Sequence, residues 1–186
     1  MDSTTTSLPL RLRTISPGDA VAITRLLEGD TELALQTATI PIPYTIESAR
    51  AFLAAADPLR IFAIAVGDEL VGTIGMIGPR GMMGSQPPGQ TSSTEPTDDN
   101  PDEPIEVGYW IGRVHWERGY ATAALRLLVE LAQRRGISRL DAYAYPLNAA
   151  SVRVLEHNGF VPQGEVQRNL PQRGGLHTLL HFQRDL

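Results

Sequence analysis

The stretch from Glu106 to Thr122 constrains this chain more than any other. Glu106-Val107-Gly108-Tyr109-Trp110-Ile111-Gly112 is dense in β-formers. After a short polar hop comes Trp116-Glu117-Arg118-Gly119-Tyr120-Ala121-Thr122. A strand therefore runs into a glycine-bearing turn that opens a helix. Such a junction directs unpaired backbone N–H groups and the positive end of a helix at one spot, which suits a phosphate group. Gly119 has no Cβ, so a phosphate can approach the backbone closely, and the small Ala121 preserves that approach. An ordinary turn glycine is the plainer alternative. Glu106 enters the strand beside the same spot and is a candidate base.

The flanking sequence fills in a mixed α/β order. Leu8 to Ile15 alternates apolar and polar residues and predicts a strand with one wet face. Ser16, Pro17 and Asp19 form a helix start, followed by Ala20, Ile23, Leu26 and Leu27 at helical spacing. A second short helix is expected around Glu32 to Thr37. Ile40 to Tyr44 carries two prolines and cannot be helix interior. Thr45 then caps a helix whose stripe is Ile46, Ala49, Phe52 and Leu53. Arg60–Val66 and Leu70–Ile77 read as a hairpin around Gly67-Asp68-Glu69.

The second half alternates strand and helix. Tyr120 to Arg135 has Ala121, Ala124, Leu125, Leu128, Leu131 and Ala132 on one face, with Gly136 as its stop. Ile137 to Tyr145 is a strand ended by Pro146. Asn148 caps a helix running through His157, and Asn158-Gly159 closes it. Phe160–Val166 and His177–Phe182 are two last strands. A hairpin-rich first half followed by β–α–β–α–β predicts a mixed central sheet of about seven strands, mostly antiparallel, with helices on both faces.

Residues 78–104 break the pattern. They are rich in Gly, Pro, Ser and Thr and end acidic, with Asp98, Asp99, Asp102 and Glu103. A disordered insertion and an acidic lid attracting cationic substrates are the two readings. The 186 residues otherwise suit one domain, 1–186. The net charge of −5 argues against nucleic acid as partner. The chain has no cysteine, which excludes disulfides and thiolate chemistry. Neither a signal core nor an apolar run of membrane-spanning length is present, so no membrane partner is expected and a cytoplasmic protein is. His157, His177 and His181 show no metal-ligand spacing, so no metal is expected; His177 and His181 share a strand face by parity. His115 is expected in a surface turn.

These segments resemble the GNAT superfamily of N-acetyltransferases, whose acetyl-CoA signature is Gln/Arg-x-x-Gly-x-Gly/Ala. Trp116-Glu117-Arg118-Gly119-Tyr120-Ala121 supplies its Gly and Ala but carries Trp at the first position. Gly108-Tyr109-Trp110-Ile111, the Trp116–Thr122 run and Asn148-x-x-Ser151-x-Arg153-Val154-Leu155-Glu156-x-x-Gly159-Phe160 look like the subgroup of ribosomal-protein alanine acetyltransferases. The resemblance implies acetyl transfer from acetyl-CoA to a primary amine, either a protein N-terminal α-amine or a small molecule, by direct attack in a ternary complex. It implies that Trp116, Glu117, Arg118, Gly119, Tyr120, Ala121 and Thr122 hold the CoA pyrophosphate. Tyr109, Trp110 and Ile111 would line the pantetheine arm in a gap between splayed strands.

The resemblance makes Glu106 the base, against a plain solvated glutamate. Ser151 is a general acid or polariser for the leaving thiolate, against a first-turn polar residue. Asn148 is a helix cap, a pantetheine contact, or both. Many members use a tyrosine near Ser151; the helix after Asn148 offers none. A homodimer is a possibility the subgroup raises. The alternative function is a non-catalytic acyl-CoA-binding or interaction protein on the same fold.

Overall fold

The computed structural model describes residues 9–78 and 105–186. The expected insertion or lid thus lies outside the described residues, except for Gly78. The observed order is β1 (Leu10–Thr14), α1 (Ala20–Leu27), α2 (Thr31–Leu35), α3 (Ile46–Ala55), β2 (Ile61–Val66) and β3 (Glu69–Ile77). It continues with β4 (Ile105–Ile111), α4 (Tyr120–Arg134), β5 (Arg139–Ala144), α5 (Ala149–His157), β6 (Val161–Leu170) and β7 (Gly175–Asp185). Short 3-10 turns precede α1, follow β4 and join β6 to β7.

The strands form one seven-stranded sheet in the order β1-β2-β3-β4-β5-β7-β6. Every described pairing is antiparallel except β4 with β5. The last two strands are longer than their β-rich cores predict, because the β6–β7 ladder, interrupted only at Gln163, runs out to Leu170 and Gly175. β5 starts later than expected, at Arg139.

Helices cover both faces. On one, Ala124, Leu125, Leu128, Val129 and Ala132 of α4 and Leu155 of α5 are buried with Ile64, Ile74, Val107, Leu140 and Phe182 of the sheet. On the other, Ile23 and Leu27 of α1, Leu33 of α2 and Ala49 and Leu53 of α3 bury Ile61, Ala63 and Trp110. The helical stripe read from α4 is the one buried, with Val129 added and Ala121 and Leu131 at its partly buried rim. Val107, Tyr109 and Ile111 face α4, while Glu106, Gly108 and Trp110 face the other way, because a strand's side chains alternate.

Candidate active site

The parallel ladder between β4 and β5 is short. It joins Ile105, Glu106 and Val107 to Leu140, Asp141 and Ala142, and then stops. Beyond it β4 continues to Ile111 and stays paired with β3 on its other edge. The antiparallel ladder fixes which way each amide points. Gly112 donates to the Val71 carbonyl at 2.9 Å, so Gly108, Trp110 and Gly112 direct their backbone groups at β3. Tyr109 and Ile111 direct theirs at the opening where β5 has left. The Ile111 carbonyl is taken by the Trp116 indole N–H at 2.7 Å. The Tyr109 amide and carbonyl and the Ile111 amide have no strand partner on that edge. The strands therefore splay where the resemblance implied. Trp110 contributes no backbone group to the gap, and its side chain is packed in the opposite core.

One wall of the opening is the start of α4. Gly119 is its N-cap, in the left-handed region at φ 73°, and no side chain caps the helix. α2, α3 and α5 do receive such a cap, from Asp30, Thr45 and Asn148. The Tyr120, Ala121 and Thr122 amides thus lack intrahelical partners and a capping oxygen. A Cβ built on Gly119 would meet nothing within 4 Å, so the space over this turn is open. Uncapped amides, a helix dipole and open space over a glycine fit a pyrophosphate.

Glu117 also has positive φ, 61°, which costs a non-glycine residue about 1 kcal/mol. Trp116 is tied by its indole to β4, with the Arg113 guanidinium 5.2 Å from its ring centroid. Arg118 donates to the Val114 carbonyl at 3.2 Å and remains exposed. His115 departs from the expected surface turn. It is buried, tilted against the Tyr120 ring and 3.6 Å from Glu69.

The other wall is α5. Asn148 Oδ1 accepts from the Ser151 amide at 3.0 Å, so Asn148 is the helix cap. Ser151 Oγ lies 3.0 Å from the Tyr109 hydroxyl. The tyrosine missing from the sequence of α5 is thus supplied across the gap by β4. Burial pushes the Tyr109 pKa up to about 12, with the Ser151 hydrogen bond partly offsetting it. The phenol stays protonated near neutral pH.

Glu106 sits on the opposite face, at the root of the split. Its Oε2 accepts from Arg168 Nη1 of β6 at 2.7 Å. The Arg168 guanidinium lies 4.2 Å from the centre of the Tyr143 ring. Tyr143 stacks on His181 with centroids 4.9 Å apart, and His181 hydrogen-bonds the buried carboxylate of Asp141. Arg168, Tyr143, His181 and Asp141 were not singled out as site residues from the sequence. Parity alone puts Asp141 with Tyr143 and His177 with His181. Only the β5–β7–β6 order brings all of them to Glu106.

The hairpin tip between β6 and β7 docks onto the segment after α2. Arg173 donates to the carbonyls of Thr37, Ala34 and Ile40 at 2.8, 2.5 and 2.5 Å.

The family model for the acetyltransferase (GNAT) domain matches residues 9–161. A probable N-acetyltransferase of Bacillus subtilis, YjcK, is 35% identical over 69 residues, covering 37% of this chain and 38% of that protein. The uncharacterized N-acetyltransferase p20 of Bacillus licheniformis is 30% identical over 78 residues, covering 41% of this chain and 44% of that protein. These alignments thus span less than half of either relative. Among solved structures, RimL, a ribosomal L7/L12 α-N-protein acetyltransferase in complex with coenzyme A, superposes with a TM-score of 0.73 at 20% identity, covering 98% of this chain and 96% of that one. At that identity the likeness is one of fold.

Proposed function

This chain belongs to the GNAT acetyltransferase family, and on that premise we propose that it transfers an acetyl group from acetyl-CoA to a primary amine by direct attack in a ternary complex. The observation that carries the reading is the split between β4 and β5. It leaves the Tyr109 and Ile111 amides without a strand partner, and α4 begins uncapped at Gly119. The acceptor is an α-amine at a protein N-terminus or a small-molecule amine, and the setting is the cytoplasm.

Acetyl-CoA, when bound, supplies the acyl group as a thioester. Arg118, Gly119, Tyr120, Ala121 and Thr122 would hold its pyrophosphate through backbone N–H groups. Trp116 and Glu117 shape the turn that presents them. Asn148 retains its amide N–H groups for the pantetheine arm while its oxygen caps α5. A β4 amide, Tyr109 or Ile111, stabilises negative charge growing on the acyl oxygen, and positioning supplies much of the remaining acceleration.

The attacking amine must be neutral. An α-amine with a reference pKa near ~8 is partly neutral at pH 7, whereas a lysine near ~10.4 needs far more help. Glu106 takes the proton, directly or through water. Ser151 and Tyr109 face the departing sulfur as hydrogen-bond donors. Full proton transfer from Tyr109 is disfavoured. Its pKa of about 12 lies roughly 3.5 units above that of a thiol near ~8.5, or about 5 kcal/mol uphill. The pair therefore polarises the leaving group, and the thiolate takes its proton from solvent.

The test is thiol release from acetyl-CoA across a panel of amines, including peptides with free N-terminal alanine or serine. Calorimetry with CoA runs alongside. Release with any amine supports the reading. CoA binding without release for any amine would replace it with a non-catalytic acyl-CoA binder. An absence of CoA binding by folded protein would remove both.

A further inference from the structure

We propose that Arg168 selects the acceptor, and that the preferred acceptor is a primary amine carrying a carboxylate. The inference rests on the acetyl-transfer reading of this site and names its substrate class.

Arg168 is held at one point by a carboxylate and from one side by a ring. Its guanidinium makes one hydrogen bond to Glu106, through Nη1. An arginine and a carboxylate that met only to stabilise the fold would gain more from a two-point fork. The guanidinium plane is set instead by the Tyr143 ring beneath it. That ring is fixed by its stack on His181, which Asp141 anchors. Arg168 keeps 25% of its side chain exposed and Glu106 keeps 30%. Among the described residues no other oxygen accepts from Arg168, so they leave its remaining N–H donors unengaged.

Among the described residues, the carboxylate next in the cluster is already engaged. Asp141 is buried at 3% exposure and is held by His181, with Arg139 3.6 Å away, so it does not answer Arg168. Arg173 on the same hairpin is met by carbonyls, and among the described residues it has no carboxylate partner. Tyr145, two residues beyond Tyr143 on the same face, has a buried hydroxyl without a hydrogen-bond partner. Burial raises its pKa, and the nearby Arg173 charge partly offsets this without a well-formed hydrogen bond between them. Among the described residues, two guanidinium groups, Arg168 and Arg173, stand on this hairpin, and Glu106 is the carboxylate that Arg168 meets. This holds although the whole chain carries a net charge of −5.

The chemistry follows from that balance. A bare ammonium approaching Glu106 meets the like charge of Arg168. An acceptor with its own carboxylate offsets that charge and takes the open N–H donors. By engaging Arg168 it also loosens the hold on Glu106, the group that must receive the amine proton. A hydrogen bond to a charged group discriminates by about 10- to 100-fold. An acceptor selected by a purely acidic surface would show the reverse order, with cationic amines favoured.

The test measures binding to CoA-loaded protein by calorimetry, apart from turnover. Two matched pairs serve as probes. Alanine against alaninamide tests a free amino acid, and amidated Ala-Asp against amidated Ala-Asn tests a peptide N-terminus. In at least one pair the carboxylated member should bind about 10-fold tighter or better. Arg168→Gln should bring that ratio close to one, and Arg168→Lys, which keeps the charge but not the fork, should restore it only in part. Glu106→Gln should tighten the carboxylated member, because it removes the internal competitor, while lowering thiol release.

A ratio near one in both pairs for the unaltered protein overturns the proposal. So does a ratio that survives Arg168→Gln, or a Glu106→Gln protein that loses carboxylate binding as Arg168→Gln does, since that marks a structural pair. The two readings fail separately. Selective binding with no thiol release keeps the Arg168 subsite and removes the transferase. Thiol release from uncharged amines without selectivity does the opposite.

Discussion

The two sides of the β4–β5 split are built from different materials. The α4–α5 side offers mainly backbone: the Tyr109 and Ile111 amides and an uncapped helix start at Gly119, with Tyr109 and Ser151 as a neutral hydroxyl pair. The opposite side is made of charged and aromatic side chains, with Glu106, Arg168, Tyr143, His181 and Asp141 linked one to the next. Backbone donors cannot be altered by ordinary substitution, so they suit a partner that stays the same. Side chains can be exchanged one at a time, so they suit a partner that varies. The cofactor side would then be common to the fold and the acceptor side particular to this chain.

The largest expected effect tests whether the acceptor side carries chemistry. Glu106→Gln should lower kcat by about 10²- to 10⁴-fold and leave CoA affinity nearly unchanged. Steady-state kinetics with CoA calorimetry checks both, and equal turnover would take Glu106 out of the mechanism.

The next effect concerns how buried the cofactor side is. Tyr109 and the core Tyr44 both have pKa values pushed by burial to about 12, from an ordinary 10.0. The folded state then holds these protons more tightly than the unfolded one. Their stabilisation is complete below pH ~10 and is lost as pH rises toward ~12, by roughly 3 kcal/mol for each tyrosine. Urea unfolding across that range should show the loss, and Tyr109→Phe should remove about half of it. A loss that Tyr109→Phe leaves undiminished would mean that Tyr109 is open to water.

Gly119→Val strikes the backbone wall directly. A β-branched residue at φ 73° costs about 1–2 kcal/mol, and its side chain would fill the open space over the turn. CoA affinity should fall about tenfold or more, while binding of an acceptor analogue changes little. Equal losses on both sides would break the contrast between them. The smallest effect belongs to the capped helix. Asn148→Ala should lower stability by about 1 kcal/mol, seen as a drop of a few degrees in Tm. CoA affinity that falls well beyond this would show that Asn148 also holds the ligand.

Much of the local structure on the α4–α5 side of the split was legible in the chain. The β4 strand, the Gly119 turn and the α4 stripe are contiguous, and each obeys a short period. The hydroxyl pair was not legible, since Tyr109 and Ser151 stand 42 residues apart. Nor was the Arg168–Glu106 pair, at 62 residues apart. His115 was misread for a related reason. A polar residue in a turn is expected outside, and the packing of Tyr120 against it decides otherwise.

The sequence by itself determined the elements, their faces and the glycine turn that opens α4, because helix and strand periods and glycine's conformational freedom act over a few residues. Tertiary structure alone decided that β7 lies between β5 and β6, that the β4–β5 ladder ends after Val107 and Ala142, and that Arg168 reaches Glu106. Those outcomes depend on strand partner and register. Both are fixed by burying two opposite faces of one sheet at once, a condition that no short stretch of chain contains.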